Sequence, residues 1–125
     1  MATLTSAVVR SDTGYIDNTT GTRVLNNNGG AGKMWEIGKI LVTNISTTAN
    51  VILYIYVCPS ATTPTTASDN YTLFKAYNIS PSNGNSGPES FPELAGLMLE
   101  DGQSIFMIAG TVSSLKYYIS YFREA

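Results

Sequence analysis

The side chains most able to do chemistry are four carboxylates in one region of the sequence: Glu89, Glu93, Glu100 and Asp101. Acidic residues at this spacing fit a turn between strands, a calcium site built from carboxylate oxygens, or an acid pair of the glycosidase type. The spacing does not match an EF-hand loop. Gly102 follows the last two acids and can supply a left-handed residue, so a tight turn is the main interpretation.

Other catalytic groups are scarce. The sequence has no histidine and a single cysteine, so it lacks the commonest general base and any Ser-His or Cys-His nucleophile pair. Gly32-Lys33 resembles the end of a phosphate-binding loop, but Met34 and Asn27 replace residues that the motif needs. Cys58 ends an apolar segment, which favours a buried filler over a reactive thiol. We predict no catalytic residue, no metal site and no cofactor, so we do not expect an enzyme.

Composition indicates one domain with few charges. The chain has 125 residues, of which 43% are hydrophobic and 13% charged, about half the usual charged share. The net charge is -2, and the seven basic residues are scattered along the sequence. This distribution argues against nucleic acid as a partner and against a polybasic membrane anchor. A single cysteine, unable to form an internal disulfide, fits folding in a reducing cytoplasm.

Strand-type alternation recurs along the chain, whereas helical periodicity does not. Eight segments have this character: 4–10, 22–25, 34–42, 51–57, 71–79, 97–99, 104–109 and 115–122. Gly, Asn, Ser, Thr and Pro clusters separate them, which predicts an all-β fold, a single antiparallel sandwich or barrel over residues 1–125. Residues 1–12 are either a first strand or an N-terminal arm. Only residues 91–99 could hold a helical turn, with Pro92 at its first position.

The alternation also predicts which side chains share a face. In 34–42 it is uneven: Trp35, Ile37 and Leu41 fall on one face, and Met34, Ile40 and Val42 on the other. Segments 51–57 and 115–122 carry bulky side chains on both faces. One face can line the core, so the other needs a separate cover. We therefore predict an oligomer interface that includes Ile52, Tyr54, Tyr56, Tyr118 and Phe122. For the tyrosines of these two segments, a place in the core or at a sheet edge is one alternative, and a sugar-stacking platform is another.

Four asparagines lie in Asn-x-Ser/Thr sequences: Asn18, Asn44, Asn70 and Asn78. Such sequences accept glycans in secreted proteins. No signal peptide is recognisable at the start of the sequence. We interpret the four as chance products of a β chain rich in Asn and Thr.

Several segments resemble small virion proteins of tailed bacteriophages. Lys39-Ile40-Leu41-Val42-Thr43-Asn44 and then Val51-Ile52-Leu53-Tyr54-Ile55 are similar to a strand ending in V-T-N, a short loop and a V-x-L-x-I strand. Downstream, Ile79-Ser80-Pro81 and the stretch 97–105 resemble that family's I-x-P and L-x-L-x-x-G-D-x-I segments, with Gln103 in place of the usual acid. The resemblance covers residues 34–122.

This resemblance implies a jelly-roll-like β-sandwich of about eight strands without catalytic residues. The implied function is capsid decoration, in which a homo-oligomer, by preference a trimer, binds the major capsid protein or tail proteins. The implied location is the virion, after assembly in the host cytoplasm. The alternative is a carbohydrate-binding or receptor-contacting tail module. Its sugar-stacking patch would consist of Trp35, Tyr71 and Tyr77.

Overall fold

The protein is described by a computed structural model that covers residues 7–17, 21–46, 48–58, 72–81, 89–110 and 114–124. These residues form nine β-strands and one short 3-10 helix. In chain order they are β1 (Ala7–Ile16), β2 (Thr22–Asn26), β3 (Trp35–Asn44), β4 (Val51–Cys58), β5 (Thr72–Ile79), β6 (Glu89–Ser90), the 3-10 helix (Pro92–Leu94), β7 (Met98–Leu99), β8 (Ser104–Ala109) and β9 (Leu115–Glu124).

The strands form two antiparallel sheets that pack face to face. The first sheet has the order β1-β9-β3, and β6 and β7 both pair with β3 at its far side. The second sheet has the order β2-β8-β4-β5. The two halves of the chain therefore pair in nested order: β1 with β9, β2 with β8, β3 with β6 and β7, and β4 with β5. Nested pairing across two sheets is the topology of a jelly roll. The predicted antiparallel sandwich is confirmed.

One strand of the roll is interrupted, so the described residues form nine strands and not eight. β6 pairs with Leu41 and Val42 of β3, whereas β7 pairs with Trp35 and Glu36. The 3-10 helix lies between β6 and β7 in the chain, with Pro92 at its start. The predicted helical turn is confirmed. Proline is favourable at its first position because it has no N–H that would be left unpaired there. β6 was not predicted, because it consists of one Glu and one Ser without apolar alternation.

The first strand is longer than the sequence predicts. The predicted segment ended at Arg10, but β1 continues to Ile16 and pairs along its whole length with β9. Its second half is polar and contains Gly14, which resembles a turn when read alone. The ladder with β9 overrides this local signal, because a long partner strand supplies backbone partners for every residue. The predicted strand or arm over 1–12 is thus a strand from Ala7 onward, and residues 1–6 lie outside the described part.

The face assignment of β3 was wrong for three residues. The pairing with β9 shifts by one residue between Ile37 and Lys39, so Gly38 forms a bulge. A bulge reverses the alternation that follows it. As a result Ile40 and Val42 join Trp35 and Ile37 in the core, and Leu41 points outward. Met34 precedes the strand and is half-buried.

The core lies between the inner faces of the two sheets. β4 contributes Val51, Leu53 and Ile55, each with no exposed surface, and β9 contributes Leu115 and Ile119. The alternate side chains, Ile52 and Tyr54 on β4 and Lys116 and Tyr118 on β9, point away from the core, so the prediction that both strands are two-sided is confirmed. Burial of each such aliphatic side chain stabilises the fold by roughly 1.5–3 kcal/mol.

Substitution of Gly21 tests how closely β2 approaches β8. Gly21 has φ +73°, and an added Cβ would lie 2.4 Å from Cε1 of Phe106. Gly102 has a similar φ of +88° but open space around it. We expect Gly21→Ala to lower the free energy of unfolding by about 2–3 kcal/mol and Gly102→Ala by about 1 kcal/mol. Equal losses in urea titrations of the two variants would contradict the close approach.

Candidate functional site

The outward side of the first sheet carries an ordered array of side chains. Cross-strand partners share a face, and the register of β1, β9 and β3 places these residues in four rows: Val9, Phe122 and Glu36; Ser11, Ser120 and Lys39; Thr13, Tyr118 and Leu41; Tyr15, Lys116 and Thr43. We call this surface the first-sheet outer face. The alternate residues of β9, such as Ile119, are buried in the core, which fixes the direction of the array.

Four of the five large hydrophobic side chains that are exposed among the described residues lie on this face or at its border. Five large hydrophobic side chains are exposed: Val9 at 65%, Tyr15 at 55%, Ile45 at 46%, Ile52 at 42% and Tyr118 at 37%. All but Ile52 lie on the first-sheet outer face or at its border. The row of Ser11, Ser120 and Lys39 separates Val9 from Tyr15, Tyr118 and Ile45, so these three side chains form the main apolar area of the face. An apolar area of this kind indicates an interaction surface more strongly than scattered single residues do.

A shallow groove of about 410 Å³ runs across the same face. It is lined by Thr13, Leu41, Thr43, Ile45, Lys116, Tyr117 and Tyr118. The Lys116 ammonium lies 5.2 Å from the centre of the Tyr15 ring, in cation–π contact. Lys39 and Glu36 are the other charged members of the four rows. A face with this mixture of apolar, hydroxyl and a few charged side chains is suited to burial against another protein surface.

The five predicted interface residues do not form one surface. Tyr118 and Phe122 belong to the first-sheet outer face. Ile52, Tyr54 and Tyr56 belong to β4 and point outward from the second sheet, on the opposite side of the sandwich. The alternation correctly predicted that each residue points away from the core, but the structure divides them between two surfaces.

The outward side of the second sheet exposes fewer of the large apolar side chains that the structure describes. Phe106 points outward but is only 3% exposed, and the Arg23 guanidinium lies 5.4 Å from its ring centre. Arg23 Nε also donates a hydrogen bond of 3.2 Å to Ser104 Oγ. Cys58 lies opposite Ser104 in the ladder with β8, and both are buried. Among the described residues of this sheet, Ile52 is the only large apolar side chain that is clearly exposed.

The proposed sugar-stacking patch is not assembled by the described residues. Trp35 is 5% exposed and stacks on Tyr121 with ring centres 5.3 Å apart, so it offers no open ring face. The rings of Tyr77 and Phe91 pack edge to face with their centres 4.6 Å apart, and the Tyr77 hydroxyl donates to the Glu93 carboxylate. Tyr71 lies outside the described residues.

The four carboxylates have separate places in the fold. Asp101 Oδ1 accepts a hydrogen bond of 3.2 Å from the Gly30 amide, and Glu93 contacts Tyr77. Glu89 belongs to β6. Gly102 adopts the left-handed conformation in a turn closed by the hydrogen bond from Gln103 N–H to Glu100 O, so the predicted turn is confirmed. No three acidic or cysteine side chains of the described part are close enough together to hold a metal ion.

Sequence reasoning missed two buried asparagines that organise loops. Asn27 donates through Nδ2 to the carbonyls of Lys33 (3.0 Å) and Leu99 (2.8 Å) and accepts from the Gly29 amide (3.0 Å). Asn44 makes four such bonds at the end of β3. Asn44 is one of the four sequon asparagines, and its side-chain amide is wholly occupied within the fold. The signal in the sequence was an asparagine directly after an apolar strand, which is common in turns.

Two buried weak acids make stability sensitive to high pH. Burial raises the pKa of the Cys58 thiol above its ordinary 9.0, although the hydrogen bond with Ser104 and the charge of Arg23 oppose the shift. Burial, and then the negative charge of Asp12, raise the pKa of Tyr117 above 10.0. The folded state therefore holds both protons at a pH where the unfolded chain releases them.

The stabilisation is complete below these ordinary values and is lost as the pH rises through the raised ones. We expect the free energy of unfolding to fall from about pH 9 upward, and Tyr117→Phe to remove the part of the fall above about pH 10. Urea titrations at several pH values measure both effects. An unchanged slope in Tyr117→Phe would contradict the role of the phenol.

No protein-family model, curated protein or solved structure matches the chain. Among the described residues, no helix has the length and apolar character needed to cross a membrane. The class of protein is therefore defined by the fold and the face themselves: a small β-sandwich of jelly-roll topology with one exposed apolar sheet face.

Proposed function

We propose that this protein is a non-enzymatic virion structural protein, a capsid decoration protein that binds an assembled shell as a homo-oligomer. The observation that carries the proposal is the first-sheet outer face, where Val9, Tyr15 and Tyr118 are exposed together. The resemblance of residues 34–122 to small tailed-phage virion proteins supplies the kind of partner. The low charge of the chain agrees with a surface intended for burial.

The mechanism needs no chemistry. A protein that binds the assembled shell but not its free subunits stabilises the shell by mass action, by about 2.7 kcal/mol per site when its free concentration is 100 times the dissociation constant. The apolar side chains of the first-sheet outer face provide the buried area. Its charged members, Lys116, Lys39 and Glu36, are available to fix orientation against polar groups of the shell.

Association with particles tests the proposal. We expect the protein to co-purify with intact phage particles in hundreds of copies, which quantitative mass spectrometry of purified particles measures. A dozen copies or fewer would place it in the tail and replace the shell with a tail protein as partner. Absence from particles, or specific glycan binding on an array, would overturn the proposal. The trimeric state implied by the resemblance stays a prediction, which light scattering measures.

A further inference from the structure

β1 forms a free edge of the first sheet. Among the described strands it pairs only with β9, and each of residues 9–13 is exposed. A ten-residue edge strand presents a row of unpaired backbone N–H and C=O groups, which is a template for pairing with another strand.

Two hydrogen bonds show which residues turn their backbone groups to this edge. The Thr13 N–H is bonded to the Asp12 carboxylate at 3.0 Å, and the Tyr15 carbonyl accepts from the Thr22 hydroxyl at 3.2 Å. Neither group therefore takes part in the ladder with β9. Because backbone direction alternates along a strand, the groups of Val9 and Ser11 point to the edge as well.

The charges on this edge select one register for self-pairing. When β1 pairs with the β1 of a second copy in antiparallel direction about a two-fold axis, one residue lies opposite the same residue of the partner. With Arg10 or Asp12 at the axis, two like charges face each other. With Ser11 at the axis, Arg10 faces the partner's Asp12, and this contact occurs twice. Both side chains are exposed, and Arg10 makes no ion pair within the described part of the chain.

We infer that the β1 edge binds a second copy of this chain, β1 against β1, with Ser11 on the two-fold axis. Ser11 then pairs with the partner's Ser11, and Val9 with the partner's Thr13, giving about six backbone hydrogen bonds. Asp12 exchanges its bond with the Thr13 N–H for the partner's Arg10. The opposed charges stabilise this register and disfavour its neighbours.

The pairing has a consequence for docking that rests on the proposed function. The two-fold axis stands perpendicular to the sheet, so the outer faces of both copies point the same way. Three strands of ten residues cover roughly 14 by 33 Å, or about 460 Å². A stable interface buries about 800 Å² per partner. One copy falls short of that area, and a joined pair of copies exceeds it.

Charge reversal tests the pairing in the full-length protein. We expect a dimer in multi-angle light scattering, in place of the trimer that the resemblance implies. Arg10→Asp and Asp12→Arg should each raise the dimer dissociation constant at least roughly tenfold, since each places two like-charge pairs at the edge. The double variant Arg10→Asp/Asp12→Arg restores opposite charges and should restore the dimer. A monomer, a trimer, or no rescue in the double variant would overturn the inference.

Cysteine cross-linking tests the register independently of the charges. Ser11→Cys should form an intermolecular disulfide under mild oxidation, because paired Cα atoms lie about 5.5 Å apart. Val9→Cys is the matched control: it lies on the same face and edge but about 13 Å from the partner's Val9, beyond the reach of a disulfide. The native Cys58 is buried and should not interfere. Cross-linking of Val9→Cys in place of Ser11→Cys would overturn this register.

These outcomes are separate from those of the proposed function. A dimer with the predicted cross-link that is absent from phage particles leaves the inference standing and removes the capsid role. Abundant copies on particles from a protein that forms a trimer do the reverse. Abundant copies from a protein that stays monomeric keep the capsid role but remove both the inference and the homo-oligomer.

Discussion

Asn44→Ala is expected to lower the free energy of unfolding by about 3–4 kcal/mol, because it leaves several buried polar groups without partners. Asn44 is 1% exposed. Its Nδ2 donates to the carbonyls of Ala49 (2.7 Å) and Ile79 (3.0 Å), and its Oδ1 accepts from the Ser46 amide (3.0 Å) and the Ser114 hydroxyl (2.9 Å). One side chain thus joins the loop after β3, the end of β5 and the entry to β9.

Two further variants separate the hydrogen bonds from the loss of volume. Asn44→Asp keeps the shape but replaces the donor with a carboxylate that faces two carbonyl oxygens, so it should destabilise at least as much as alanine at neutral pH. Asn78→Ala is the control, since Asn78 is exposed on β5 and should change stability by less than about 0.5 kcal/mol. Urea denaturation followed by tryptophan fluorescence measures all three. A loss below about 1 kcal/mol in Asn44→Ala would refute the role of this side chain as a junction.

The sequence predicted the presence of most strands, but it did not predict for every strand which side chains face the core. The pairing of β4 with β8 and that of β9 with β1 have no register shift, so counting by twos assigned Leu53 and Ile119 to the core correctly. β3 contains a bulge at Gly38, and a single extra residue exchanged the faces of Leu41 and Val42. Nothing local marks that bulge apart from a glycine, because it is the partner strand that fixes the register.

The candidate surface was predictable by residue but not as a surface. Alternation shows that Tyr54 and Tyr118 leave the core, since their neighbours in the strand are buried. It does not show which sheet contains each strand, because that depends on nested pairing between residues far apart in the sequence. The same limit applies to Val9 and Tyr15. They join the exposed face only through β1, which pairs with β9 more than a hundred residues downstream.

The buried asparagines illustrate a different limit. Asn27 and Asn44 resemble the many other asparagines of this chain in local sequence, and turn propensity alone cannot separate a solvated asparagine from a buried one. The difference arises from a second strand that is distant in sequence. Asn27 donates to the carbonyl of Leu99, and Asn44 donates to the carbonyl of Ile79. Such roles follow from tertiary structure, where an amide buried among backbone carbonyls must find partners for its donors and acceptors.

Tyr118→Asp is expected to weaken binding to particles by roughly 100-fold while the fold persists. Tyr118 lies at the centre of the first-sheet outer face, between Thr13 and Leu41 in the cross-strand row, and it lines the groove. A central aromatic residue in an apolar interface typically contributes about 2 kcal/mol or more, and a buried unpaired carboxylate adds a desolvation cost. Its side chain is exposed in the free protein, so the stability of the monomer should change little.

Ile52→Asp is the matched control because Ile52 has similar exposure but lies on the opposite sheet. Purified variants are mixed with particles stripped of the native protein, and the bound fraction is measured by sedimentation, with circular dichroism as the check on folding. Loss of binding in Tyr118→Asp alone would identify the first-sheet outer face as the docking surface. Loss in Ile52→Asp alone would move the docking surface to the second sheet. The interface would then contain Ile52 and its neighbours on β4, and Tyr118 and Phe122 would lie outside it. If both folded variants bind as well as the native protein, neither apolar face is the contact, and assembly through a sheet face is refuted.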